Sequence, residues 1–135
     1  MRKVIYLIGV IVLLGSVLCV GKGFLSREEF MSIEKAEQRW GSQPFDPKVF
    51  KTGNQKIRGL MAVALIKSKR YIGKPISSVR EELGNWDGYF ETDGIPAYFI
   101  ESSKTGSKEV WEILFLPDKK NPRNVGEVRI HKNCC

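Results

Sequence analysis

The sequence predicts an α+β fold: two helices packed on an antiparallel meander of three or four strands, preceded by an N-terminal signal or transmembrane helix. Three observations predict it. Residues 4–20 carry no charge and follow Arg2 and Lys3. Apolar residues recur at helical spacing between Asn54 and Leu83. Beyond Gly84 the period changes to two, with turn residues between short runs. The chain divides accordingly into 1–21, a signal peptide or membrane anchor; 22–53, a linker with a short helix; and 54–135, an α+β binding domain.

The basic start and apolar core of residues 1–21 read as an export signal. Seventeen helical residues, Val4 to Val20, would span about 25 Å, a long signal core but a short membrane span. Cys19 and Gly21 permit cleavage after Gly21; without cleavage, residues 4–20 anchor the chain in a membrane with Arg2 and Lys3 inside. Ser16-Val17-Leu18 before Cys19 is a poor match to a lipoprotein signal. The bulk of the chain is expected outside the cytoplasm: periplasmic, or membrane-anchored and facing the periplasm or exterior.

Of 135 residues, 114 follow Gly21, enough for one core. Arg2 and Lys3 supply two of the net +7, leaving +5 on the domain. The basic residues are scattered, and an exported chain meets no genome, so no nucleic-acid partner is expected. The charge suits a solvated surface or an anionic partner: lipid, cell-wall polymer or an acidic protein. Cys134 and Cys135 close the sequence, so no disulfide can staple the domain interior.

The elements follow in order. Ser26 with Glu29 forms a capping box, so a helix is expected from Ser26 to Trp40 with Phe30, Ile33 and Trp40 on one side. Pro44, Pro47 and flanking glycines mark residues 41–53 as an irregular connection pinned by Phe45, Val49 and Phe50. Asn54 to Arg70 is the strongest helix, with Ile57, Leu60, Met61, Ala64 and Leu65 on one face. After Tyr71-Ile72-Gly73-Lys74, a shorter helix begins at Pro75 or Ile76 and ends at Leu83. Ser78 with Glu81 forms its capping box, Val79 and Leu83 face inward, and Gly84 is its stop. Gly88–Thr92 and Ala97–Ser102 read as short aromatic strands, Val110–Leu116 as the strongest strand and Val125–His131 as an alternating one. Trp111, Ile113 and Phe115 share one face of the strongest strand; Val110, Leu114 and Leu116 share the other with the lone charge, Glu112.

The stretch Arg58 to Gly84, with Ile72-Gly73-Lys74, Val79 and Leu83-Gly84, followed by Trp111 and Val128-Arg129-Ile130, resembles small bacterial envelope proteins of the SmpA/OmlA type. The likeness covers about residues 54–131. It implies an α-α-β-β-β domain of the kind doubled in β-lactamase inhibitor proteins, and a non-enzymatic binding module: a scaffold part, an inhibitor or an immunity protein. Members commonly continue Leu-Gly into a Gly/Glu-Pro-Asp turn; this chain has Asn85-Trp86-Asp87 there, and no family binding residue is carried over.

No phosphate loop, nucleophile elbow or zinc-protease motif occurs, and His131 is the single histidine, so no catalytic residue and no cofactor is expected. The tail His131-Lys132-Asn133-Cys134-Cys135 has metal-ligating chemistry but too few ligands for a strong site, so no metal is assigned. Two short helices cover one face of a sheet whose central strand is apolar on both. The uncovered face is therefore expected to meet the Ser26–Trp40 helix, a second copy of the chain or a partner protein, with Trp86, Tyr98, Ile100 and Trp111 as the expected contact residues. The resulting expectation is an exported protein-binding module with an unknown protein partner; the alternative is an immunity or inhibitor protein that blocks a toxin or enzyme.

Overall fold

The computed structural model describes residues 30–133; the expected signal or anchor at 1–21, the expected capping box at Ser26, Cys134 and Cys135 lie outside the described residues. The elements are β1 (Phe30–Met31), α1 (Ile33–Trp40), α2 (Pro47–Thr52), α3 (Gln55–Ser68), α4 (Ile76–Leu83), β2 (Ala97–Glu101), a 3-10 turn (Ser103–Thr105), β3 (Val110–Pro117) and β4 (Val125–Asn133). The fold is α+β, with one antiparallel four-stranded sheet in the order β1-β4-β3-β2.

Helix ends follow side-chain chemistry. Asn54 caps α3, its Oδ1 accepting the Ile57 N–H at 3.0 Å. Lys69 ends α3 in the left-handed conformation, φ 53°. Gly84 ends α4 at φ 83°, where a side chain would be strained, and its N–H donates to Arg80 O at 2.9 Å. The Ser78–Glu81 capping box does not form. α4 starts just after Pro75, so Ser78 already sits in the first turn and its hydroxyl donates back to Pro75 O at 2.7 Å.

Three sequence expectations change. The first helix starts at Ile33 rather than Ser26, because Phe30 and Met31 pair with His131 and Ile130 as the edge strand β1. Ser32 then serves as cap, accepting the Lys35 N–H at 3.3 Å. The connection 41–53 contains α2: Pro47 is its first residue, which needs no N–H donor, and Asp46 Oδ1 accepts the N–H groups of Lys48 (2.8 Å) and Val49 (3.1 Å). Residues 88–92 form no strand; only an isolated bridge joins Phe90 to Thr92, with Glu91 at φ 56°. The fourth strand of the sheet is β1.

Tyr98, Ile100, Trp111, Ile113, Phe115, Val128 and Ile130 belong to the core, together with Phe50, Met61, Ala62, Val63, Leu65, Val79 and Leu83 from the helices. The rings of Phe45, Phe50, Tyr71, Tyr98 and Phe115 meet edge to face, with centroids 5.5–6.2 Å apart. α3 is buried on more than the expected stripe: Ala62 and Val63 are fully buried while Ile57 is 36% exposed. Contacts from α1 and α2 account for this. At Gly59 α3 approaches β2 so closely that a Cβ would sit 3.1 Å from Ile100 O. The link between α3 and α4 is sewn to the start of β4 by Gly73 N–H to Val125 O and Val125 N–H to Lys74 O, both 2.8 Å.

Part of the opposite face of the sheet is covered from within the chain. Residues 85–96 form a strap: the Gly88 N–H donates to Ala97 O at 2.8 Å, and Pro96 O accepts from the Phe115 N–H at 3.0 Å. Ala97, Glu112 and Leu114, all on this face, are fully buried. Over these three residues the strap, joined by Phe30 of β1 against Phe90 at 6.5 Å, supplies the cover.

Candidate functional site

A cleft of about 490 Å³ opens between the first turn of α3, the turn after β2 and the start of the strap. Lys56, Arg58, Lys104 and Asp87 line it, with neutral polar groups from Asn54, Gln55 and Thr105. Arg58 forms a fixed wall. Its side chain is 12% exposed, lies against the rings of Phe50 (5.7 Å) and Tyr98 (5.6 Å), and donates from Nε to Phe50 O at 3.4 Å and from Nη1 to Asp87 Oδ2 at 2.9 Å. Asp87 Oδ1 accepts the Phe99 N–H at 3.0 Å, so one carboxylate ties helix, strap and β2 together. The opposite lip is shaped by Ser102: its hydroxyl donates to Gln55 Oε1, and its carbonyl accepts from the Thr105 N–H and hydroxyl at 2.9 and 2.6 Å. Lys56 and Lys104 have no ion-pair partner among the described residues. The cleft carries three cations against one anion.

A second polar cluster lies beneath the strap. Glu112 is fully buried; its Oε1 meets His131 Nδ1 at 3.1 Å and its Oε2 accepts from Asn133 Nδ2 at 3.4 Å. Phe30 and Phe90 pack on the imidazole at 5.5 and 4.8 Å. Burial pushes the Glu112 carboxyl above its usual range, against the opposing pull of these donors. A Cβ on Gly88 would lie 2.5 Å from Glu112 Oε2 and 2.9 Å from Ala97 O, so the strap can cross here only as glycine. His131, read as the head of a metal-ligating tail, is instead locked into this closed pair.

A third network fastens α1 to the sheet. Arg39 donates to both oxygens of Glu101, from Nη2 at 2.6 Å and Nε at 3.1 Å, and the Trp40 indole N–H donates to Oε2 at 2.6 Å. Arg39 Nη1 also reaches Glu109 at 3.1 Å, which Lys132 meets at 3.0 Å. Bonded first by Arg39, the Glu101 carboxyl falls to about 2.

The residues expected at the partner surface are placed otherwise. Tyr98 and Ile100 are buried under the helices, Tyr98 donating its hydroxyl to Gly84 O at 2.7 Å. Trp111 is also in the core; its ring packs edge-on to Trp40 at 6.1 Å and its N–H donates to Glu109 at 3.0 Å. Trp86 is half-buried against the core, with the Arg80 guanidinium 4.6 Å above its ring. The structure brings Tyr98 and Ile100 together on β2 beside Trp111 on β3, but as core. The residues of the cleft were individually unremarkable in sequence. Asp87 belongs to the Asn85-Trp86-Asp87 segment after the Gly84 stop, and only the fold sets it against Arg58. Comparison with protein-family models, curated proteins and solved structures returned no match.

Proposed function

We propose that this chain is an exported envelope protein that works by binding another protein, without catalysis, held at the membrane through residues 4–20 where these are not cleaved. The observation that carries the binding reading is the cleft at the head of α3, whose wall is built by Arg58 and Asp87 while Lys56 and Lys104 stay unneutralised on its rim. With helices on one face of the sheet and the strap on the other, the cleft is a concavity bordered by charged side chains and left open to a partner. Read as SmpA/OmlA-like, with the helix-helix-strand-strand-strand order of residues 55–133 taken as that domain, the chain would have the same non-enzymatic role.

The test is made in cells. A phosphatase fused after Cys135 should be active, and a photoreactive residue at position 56 or 104 should give a discrete protein adduct. The same residue at position 123, in the turn before β4, should give none. An inactive fusion would remove the export reading; absence of an adduct from any position would remove the binding reading.

A further inference from the structure

We propose that the cleft at the head of α3 binds an acidic polypeptide segment, its side-chain carboxylates seated between Lys56 and Lys104. The inference rests on the protein-binding reading above and adds the chemistry of what is bound. Charge is the first argument. Asp87, Glu101 and Glu109 are each committed to a basic side chain, whereas Lys56 and Lys104 line one concavity with none. An entering carboxylate gains ammonium donors that no acidic side chain among the described residues occupies. Asp87 is the second argument, because it shows which chemistry the wall accepts: a carboxylate held by a guanidinium at 2.9 Å and a main-chain N–H at 3.0 Å. Shape is the third. A hollow of about 490 Å³ lies within the usual size of ligand sites and admits a few residues of extended chain. The side-chain amide NH2 groups of Asn54 and Gln55, whose oxygens are already bonded, add donors suited to peptide C=O. A flat cationic face would suit a membrane plane; a concave one suits side chains that project.

The experiment uses the full chain in neutral detergent, titrated with fluorescein-labelled hexaglutamate and read by fluorescence anisotropy. Saturable binding that weakens with added salt is expected, and Lys56→Gln and Lys104→Gln should each weaken it about fivefold, the upper range for an exposed ion pair. Lys67→Gln, at the far end of α3 and paired with Glu37, should change nothing. Hexalysine should not bind. Circular dichroism checks that each variant is folded. No binding of hexaglutamate, or binding indifferent to both cleft lysines, overturns the proposal. Equal binding of polyphosphate or of phosphatidylglycerol vesicles with the same dependence on Lys56 and Lys104 also overturns it, assigning the cleft to a non-peptide anion. If hexaglutamate fails while the adduct from position 56 persists, the acidic-segment inference falls and the protein-binding reading stands.

Discussion

Replacing Glu101 by Gln should cost stability in a way that depends on pH. The wild-type carboxylate accepts two bonds from Arg39 and one from the Trp40 indole, and its side chain is 17% exposed. Its titration point is lowered from 4.5 to about 2, Arg39 being the largest cause. That difference corresponds to about 3 kcal/mol at neutral pH as an upper bound. Solvent screening of a surface network reduces the figure to about 1–2 kcal/mol. The sign follows from the direction of the shift. A depressed carboxyl stabilises the fold fully above its unfolded value and loses that contribution as pH falls from about 4.5 toward 2. Gln has the same size but no charge, so it forfeits the contribution at pH 7 and has less left to lose at pH 3. Urea unfolding followed by tryptophan fluorescence is the assay, since Trp40 and Trp111 flank the network. Wild type and variant should differ most at pH 7 and by less than half as much at pH 3. A gap that is the same at both pH values, or absent at pH 7, would refute the reasoning.

Gly88→Ala should destabilise by about 2–3 kcal/mol in thermal unfolding, because the new methyl meets Glu112 Oε2 and the Ala97 carbonyl; an unchanged midpoint would show that the strap gives way. Glu112→Gln should flatten the pH dependence: the raised wild-type carboxyl stabilises most below its unfolded value and loses that as pH climbs through its folded one, a slope the variant lacks. Equal slopes from pH 4 to pH 8 would contradict this. Tyr98→Phe should cost about 1 kcal/mol for the lost bond to Gly84 O, and Tyr98→Ala about 3–5 kcal/mol, measured by urea titration; a folded and fully stable Ala variant would return Tyr98 to the surface.

What was legible in the sequence were features whose cause is local. The apolar stripe of the helix after Asn54, Gly84 as a stop and the alternation of Val110–Leu116 each act within a few residues, and all three elements stand in the structure. Two serines followed by Glu or Lys compete to start the first helix, and Ser32 prevails because Phe30 and Met31 are taken by β4, a partner a hundred residues away. Pro47 was read as a breaker although it sits where a helix best tolerates it. The aromatic strand residues were recognised as apolar, but which face the helices cover is a tertiary fact, and Tyr98, Ile100 and Trp111 fell on the covered one. The cleft depends on contacts 29 and 47 residues apart in sequence, Arg58 with Asp87 and Gln55 with Ser102, which no periodicity encodes.

The pairing of Phe30 with His131 has a mechanical consequence. The described chain enters the sheet on β1 beside the place where it leaves on β4, since Phe30 lies opposite His131 and Asn133 is two residues further along. Tension applied between these two ends therefore opens the β1–β4 seam like a zip, loading its few hydrogen bonds in succession rather than together. The edge strand is two residues long, so a modest pull detaches it and draws Phe30 off the imidazole of His131 before the helical core bears any load.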